Sequence, residues 1–405
     1  MGALYDKDWR YSLARIWCDD AIRSMFNNIC SEGKENVPTD GAVILAPNHC
    51  NTVMDALVIL QDWKEATLFG ARADVFRKPL VRKILRFLKI LPLPRAHDGA
   101  KAVLDNRATI EEVVDCLDHG MRYCMFCEGS HRTMHSLLPL KKGIVRTALA
   151  ANERFGDRKP VYIVPIGLEY QDYYRIKTPL TIRYGKAINV TEFVFSNPEM
   201  IESQVYKHIL DTLKDRLSSL ITCLPDDDTY EGRWSLTKIS GFKTAMAASS
   251  DRIKNAGIFD LKRRNEGLSS WSFKKDGTGL RILGKTLAFI LLLPLIIFAT
   301  VAAAPMWILS EYLAGKIKDK AFVRTARFGV KFALMPLLVI IWGLVYFLCL
   351  PPVLAVIVFL LSFWSHSIFY EALERGRVLL SDIRLAMGHK KLKESYSKCQ
   401  IMRVH

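Results

Sequence analysis

Residues 42–55 have the sequence AVILAPNHCNTVMD, in which an unbroken apolar run leads into a polar turn. An apolar run of this length, bounded by Gly41 and Pro47, is typical of a strand buried on both faces of a parallel sheet. Four later segments have strand-like patterns, and helical patterns separate most of them. They are Thr67–Phe69, Arg122–Cys127, Val161–Leu168 and Leu180–Tyr184. This alternation predicts an α/β domain with a mixed, largely parallel sheet flanked by helices.

The composition narrows the class of protein. The chain has 405 residues, of which 50% are hydrophobic, and 57 Lys and Arg against 41 Asp and Glu give a net charge of +16. These values exclude a disordered or collagenous chain, and the concentration of apolar residues near the C-terminus argues against a purely soluble enzyme. The basic excess predicts an anionic partner, which is a phosphate group, an acidic membrane surface or nucleic acid.

Two apolar segments are longer than a soluble domain needs. No charged residue occurs from Thr286 to Leu309 or from Phe332 to Trp364, and prolines interrupt both segments. At about 1.5 Å per residue, the first segment is long enough for a bilayer core of about 30 Å. Lys and Arg flank both segments, which favours two membrane hairpins with every polar part cytosolic. Ordinary membrane crossings are the alternative.

These patterns predict five regions. Residues 1–40 are expected to form an amphipathic helix, Trp9–Cys30, and a loop, and residues 41–224 the α/β domain. Residues 225–280 are a polar insertion or linker, 281–370 hold the membrane helices as two hairpins or two to three spans, and 371–405 are a basic cytosolic tail. The first 20 residues contain no apolar run of a secretory signal, and nine scattered cysteines argue against a disulfide framework.

The turn after the first strand contains a histidine and a carboxylate six residues apart. If His49 lies in the turn and Asp55 in the first turn of the next helix, the imidazole can fold back onto the carboxylate. Such a pair makes a general base, because the carboxylate holds one ring nitrogen protonated and leaves the other free. The alternative is structural, since Thr52-x-x-Asp55 also resembles a helix capping box.

Other polar residues follow strand ends. Glu128, Gly129 and Ser130 offer a carboxylate, a permissive backbone and a hydroxyl, and Lys141 and Lys142 stand at a helix start that could hold an anion. Arg95 suits bidentate phosphate recognition. Cys124, Cys127, His131 and His135 lack the longer gap of a zinc finger, so no metal site is predicted.

Four ordered blocks together resemble the glycerolipid acyltransferase superfamily, which includes glycerol-3-phosphate and lysophosphatidic acid acyltransferases. They are AVILAPNHCNTVMD (42–55), LFGARADVFRKPLVRKILRFLKILPLPR (68–95), FCEGSHRTMHSLLPLKKG (126–143) and VYIVPIGLEY (161–170). Five residues separate His49 from Asp55, where four is the commoner number. This spacing resembles the subgroup of eukaryotic glycerol-3-phosphate acyltransferases. The usual proline before the glutamate is Cys127 here.

The resemblance implies a role for each block. His49 matches the catalytic histidine and Asp55 its carboxylate partner, while Arg95 matches an arginine expected to bind the phosphate of the acceptor. Glu128, Gly129 and Ser130 match the block tied to acceptor binding, and Pro165 matches the block linked to acyl-donor binding. Lys141 and Lys142 are further candidates for holding the phosphate.

The predicted reaction is acyl transfer from acyl-CoA or an acyl carrier protein to a glycerol-phosphate hydroxyl, without a metal or redox cofactor. Membrane lipids are the expected surroundings, with the domain on the cytosolic face of an integral or monotopic protein. The basic amphipathic helix Pro79–Leu91 either lies on an anionic membrane surface or is an ordinary surface helix. A catalytically silent lipid-binding or scaffold protein is the main alternative. Nucleic-acid binding is not predicted, since no recognition motif is present.

Overall fold

A computed structural model describes residues 3–93, 100–274, 279–388 and 390–400. The chain divides into two compact units. Residues 1–221 and 317–328 form the first unit, and residues 222–316 and 329–405 form the second. Arg95, the predicted phosphate ligand, lies outside the described residues.

The first unit is built on a sheet that has eight strands among the described residues. The order is β1-β7-β6-β2-β5-β3-β4, and β8 pairs with β6. All pairings are parallel except those of β6 with β7 and β8. The mixed, largely parallel sheet is therefore confirmed. The strands are β1 (Ile29–Glu32), β2 (Ala42–Pro47), β3 (Thr67–Arg72), β4 (Ile90–Leu93), β5 (Arg122–Cys124), β6 (Val161–Tyr170), β7 (Leu180–Tyr184) and β8 (Ile188–Asn189).

Helices pack on the sheet and bury its centre. Every residue of β2 is buried, as the apolar run at 42–46 predicts for a central strand. Ile44, Ile163 and Tyr123 from neighbouring strands share one core with Val145 and Leu213 from the helices. The helices are α1 (Trp9–Arg23), α2 (Val53–Asp62), α3 (Pro79–Phe87), α4 (Ala100–Asp118), α5 (Gly143–Phe155), α6 (Val190–Ser196) and α7 (Glu202–Leu220).

Two predicted helices end earlier than expected. The helix expected over Trp9–Cys30 ends at Arg23, because residues 29–32 form β1 and pair in parallel with β7. The helix expected over Pro79–Leu91 ends at Phe87, where Lys89 adopts a positive φ of 62° and the chain turns into β4. In both places a strand pairing outweighs the helical pattern of the sequence.

The second unit consists of helices. Those between Tyr230 and Lys274 lie in the segment predicted as a polar insertion or linker. They share an apolar cluster with residues near the C-terminus, including Leu236 and Phe259 on one side and Leu385 and Tyr396 on the other. The helices are α8 (Tyr230–Ser240), α9 (Phe242–Met246), α10 (Ser250–Asn265), α11 (Ser270–Lys274), α12 (Gly279–Leu291), α13 (Leu293–Ala302), α14 (Ala304–Lys316), α15 (Val323–Cys349), α16 (Pro352–Gly388) and α17 (Lys390–Gln400).

Two helical stretches, Lys320–Cys349 and Pro352–Gly388, are long and apolar enough to cross a membrane. The pair formed by α12 and α13 reaches the same length but is bent by 56° at its break. Apolar side chains along these helices are exposed, including Leu291, Leu348 and Val353. Helices long and apolar enough to cross a membrane are thus present where the sequence predicts them, and their exposed apolar surface suits lipid contact.

Candidate active site

The centre of the site is a histidine–carboxylate pair at the C-terminal end of β2. Nδ1 of His49 lies 2.9 Å from Oδ2 of Asp55. The Asp55 side chain is fully buried, whereas His49 keeps 17% of its side-chain surface exposed. A carboxylate at this distance favours the tautomer that carries its proton on Nδ1, so Nε2 is left as the proton acceptor.

The backbone fixes the position of that carboxylate. Oδ2 of Asp55 also accepts hydrogen bonds from the backbone N–H groups of Cys50 at 2.8 Å and Asn51 at 2.7 Å. Asp55 lies in the first turn of α2, where the helix dipole favours a negative charge. Asp55 therefore accepts hydrogen bonds from the backbone of the turn and also from the imidazole of His49.

Two strained or clamped residues shape the turn. Thr52 has φ 50° and ψ −128°, a backbone conformation that a residue with a branched side chain adopts only under constraint. Asn48 is buried and exchanges two hydrogen bonds with the backbone of Leu168 in β6, at 2.6 and 3.2 Å. These contacts hold the start of the turn to the sheet and bring His49 back over Asp55.

Glu128 links the two loops of the site. It is buried, and its carboxylate accepts the backbone N–H of His49 at 2.7 Å and that of Leu138 at 2.7 Å. Burial raises the pKa of Glu128 above its ordinary 4.5, while the hydrogen bonds from Leu138 and His49 oppose the rise. Each of the two carboxylate oxygens thus accepts a hydrogen bond from a backbone N–H group. The predicted role of Glu128 in acceptor binding stays a prediction.

The structure places the other predicted residues at different depths. Gly129 has φ 71°, and a Cβ there would come within 3.1 Å of the Lys141 side chain, so glycine suits the position. Ser130, Lys141 and Lys142 are exposed. Pro165 is buried within β6, where it pairs with Ala46 of β2.

Aromatic rings surround His49. Phe126 stacks on the imidazole with ring centroids 4.2 Å apart, and His131 meets it edge-on at 5.7 Å. Phe126 and His131 follow β5, the parallel neighbour of β2, so their loop and the His49 turn lie at the same edge of the sheet. The sequence already places Phe126 and His131 after a predicted strand. It does not indicate that either residue contacts the catalytic histidine.

The cysteines near the site are buried free thiols. Burial raises the pKa of the Cys127 thiol to about 12 and that of Cys50 well above its ordinary value, so both stay protonated at neutral pH.

His131 and His135 have carboxylate partners, Asp319 at 2.8 Å and Glu169 at 3.1 Å. Among the described residues, no group of three or more His, Cys, Asp or Glu side chains is placed to hold a metal ion.

Comparison with known proteins identifies the class of this domain. Residues 28–169 match the family model described as Acyltransferase. No curated protein sequence matches significantly. A solved structure with a match is the 1-acyl-sn-glycerophosphate (LPA) acyltransferase PlsC from Thermotoga maritima. It is 19% identical, with a TM-score of 0.37, and the match covers 53% of this chain and 83% of that one.

The family match includes His49, Asp55 and Glu128, the residues that form the centre of the site. Residues 28–169 are therefore similar to acyltransferase domains. This agrees with the resemblance to glycerolipid acyltransferases that the four sequence blocks indicate.

Proposed function

We propose that this protein is a membrane-bound O-acyltransferase. It would move a fatty acyl group from a thioester, either acyl-CoA or an acyl carrier protein, to a hydroxyl of glycerol-3-phosphate or lysophosphatidic acid. The observation that supports this most is the pair of His49 and buried Asp55 inside a domain of the acyltransferase family. General-base catalysis requires an imidazole with one ring nitrogen bound to a fixed carboxylate and the other nitrogen, here Nε2, able to accept a proton.

The proposed reaction needs no covalent enzyme intermediate. Nε2 of His49 takes the proton of the acceptor hydroxyl while the oxygen attacks the thioester carbonyl, and Asp55 stabilises the imidazolium that forms. The tetrahedral intermediate collapses, the C–S bond breaks, and the imidazolium returns the proton to the departing thiolate. The products are an ester and a free thiol.

Three backbone N–H groups of the His49 turn are not available to bind the oxyanion of the tetrahedral intermediate. The N–H groups of His49, Cys50 and Asn51 already donate to the carboxylates of Glu128 and Asp55. The oxyanion would need other donors. Exposed Lys141 and Lys142, together with Arg95, remain the candidates for holding the phosphate of the acceptor.

A membrane setting suits these substrates, because the acyl chain and the product are apolar. Two helices of the first unit expose apolar side chains, Trp9, Leu13 and Ile16 on α1 and Leu80 and Ile84 on α3. The two helices are adjacent, since the rings of Tyr11 and Phe87 lie 6.1 Å apart. With the basic residues of α3, this surface fits an anionic bilayer interface.

Contacts within each unit favour the hairpin topology. Residues 317–328 pack within the first unit, and residues 385–399 pack against residues 236–273 in the second. Among the described residues, the candidate spans all lie between 279 and 388, so the chain reaches residue 274 without crossing a bilayer. A bilayer cannot separate residues that touch. Both apolar segments would therefore leave and re-enter on the side of the catalytic domain.

The lengths of the helices refine this topology. Helices α15 and α16 have 27 and 37 residues, each enough for a core of about 30 Å, so they can run out and back. Helix α14 has only 13 residues, which span about 20 Å. We infer that α12, α13 and α14 form a re-entrant hairpin. Protease sites inserted near residues 316 and 393 should be cut from the same side of sealed vesicles, and cutting from opposite sides would exclude it.

The activity itself is tested with purified full-length protein in lipid bilayers. Labelled acyl-CoA and acyl carrier protein are offered with glycerol-3-phosphate, lysophosphatidic acid and other lysolipids, and the lipids are separated by chromatography. The proposal predicts an esterified product with at least one phosphate-bearing acceptor. No transfer to any acceptor from either donor would favour the alternative, a silent lipid-binding or scaffold protein.

A further inference from the structure

Asp319 lies between the two apolar segments, yet its carboxylate reaches the active-site loops. It belongs to residues 317–328, here called the interhelical segment, which pack within the first unit. We propose that Asp319 in this segment is a positioning residue of the active site, which holds His131 against the ring of His49. The inference rests on the proposed acyl transfer.

The first observation is the contact with His131. Oδ2 of Asp319 lies 2.8 Å from Nε2 of His131, and this hydrogen bond lowers the pKa of Asp319. The His131 ring meets Phe322 of the interhelical segment edge-on at 5.6 Å and meets the His49 ring edge-on at 5.7 Å. His131 thus stands between the segment and the catalytic base.

A second contact reaches the turn that holds the base. Oγ1 of Thr52 lies 3.3 Å from the carbonyl oxygen of Ala321 and 3.3 Å from Oγ1 of Thr325. Thr52 is the residue with the constrained backbone between His49 and Asp55. The interhelical segment therefore contacts both loops of the site, one through His131 and the other through Thr52.

A buried arginine fixes the segment in place. Arg324 is fully buried and donates to the carbonyl oxygen of Asp172 at 2.6 Å, to Oγ1 of Thr178 at 3.0 Å and to the carbonyl oxygen of Arg175. Its guanidinium also lies over the ring of Phe26, 4.7 Å from the centroid. Burying a cation is unfavourable without partners, so these bonds, all from one guanidinium nitrogen, favour the observed position of the segment.

This arrangement gives the segment a role in the reaction. A general base works only when its ring is held in the productive geometry, and a displacement of about 1 Å can cost roughly 100-fold in rate. Asp319 restrains His131, and His131 contacts the His49 ring edge-on, in addition to the contacts that Asp55 and the stacked Phe126 make with that ring.

The test compares D319N, D319E and the control K318Q, made in the full chain and assayed in bilayers beside wild type and H49A. Lys318 is an exposed neighbour in the same segment. D319N should lower kcat by about 10- to 100-fold with the KM for the acyl donor within about threefold, because the ring is misplaced and the donor site is untouched. D319E should recover most of that loss, and K318Q should match wild type.

The outcomes separate this inference from the proposed function. If wild type transfers acyl groups, H49A does not, and D319N keeps the kcat of wild type, the positioning role is wrong and the function stands. Thermal unfolding measures how much of the D319N protein is folded. If the loss of activity equals the loss of folded protein, the positioning role is also wrong. If wild type is inactive with every acceptor, the proposed function itself fails.

Discussion

Replacing Asp55 by asparagine tests how the base is activated with little change in geometry. Three hydrogen bonds of the Asp55 carboxylate end on Oδ2, which accepts from His49 and from the N–H groups of Cys50 and Asn51, while Oδ1 accepts only the weak donor Sγ of Cys50 at 3.8 Å. An asparagine can place its carbonyl oxygen at that position and keep the same donors. The variant therefore removes the negative charge and leaves the turn and the imidazole where they are.

The size of the effect follows from the distance between the groups. Nδ1 and Oδ2 are 2.9 Å apart, which places the two charge centres about 4 Å apart when the imidazole becomes protonated. At an effective dielectric constant of about 20, their attraction is about 4 kcal/mol. Since about 1.4 kcal/mol corresponds to a tenfold change in rate, D55N should lower kcat by about 1,000-fold.

The assay follows product formation from a labelled acyl thioester by the full-length protein in bilayers, at saturating acceptor. The control is D40N, which removes a carboxylate from an exposed position before β2 and should match wild type. Thermal unfolding should show similar stability for D55N and wild type, because the hydrogen bonds are kept. A kcat for D55N within about tenfold of wild type would refute the charge argument.

Three further predictions concern the surroundings of the base. E128Q should lower stability by about 1–3 kcal/mol, because one backbone N–H then faces a donor. Burial raises the pKa of Glu128, so its contribution to the free energy of unfolding is complete below about pH 4.5 and declines as the pH rises through the raised pKa. The advantage of wild type over E128Q in thermal unfolding should therefore shrink from pH 4 to 7, and a growing advantage would contradict it. C127A should keep kcat within about threefold, since a thiol with a pKa of about 12 is no nucleophile, and a large loss of turnover would count against direct transfer. R324M should lower the melting temperature clearly, because it removes the hydrogen bonds that Arg324 donates to Asp172, Arg175 and Thr178, and an unchanged melting temperature would contradict that anchoring.

The sequence predicts those features that depend on local pattern. The buried strand β2, the helix after it and the pairing of His49 with Asp55 follow from an apolar run, a polar turn and a six-residue separation. The β1 strand was missed because its four residues have no strand-like alternation of buried apolar side chains, and pairing with β7 alone defines it. Local pattern carries no information about such distant pairing.

Features that depend on tertiary contact were not predictable. The sequence separates His131 from Asp319 by 188 residues and an apolar segment, so nothing local indicates that they meet. Glu128 is a different case, because a carboxylate that binds substrate and one that holds two backbone N–H groups look the same in a sequence. Only the positions of the donors distinguish the two roles.

The most direct measurement is acyl transfer by H49A beside wild type, in the same bilayers and with the same labelled thioester and phosphate-bearing acceptor. If the free ring nitrogen takes the hydroxyl proton, H49A should stay folded and lose at least about 100-fold in kcat. Turnover of folded H49A at a tenth or more of the wild-type rate would mean that another group activates the acceptor.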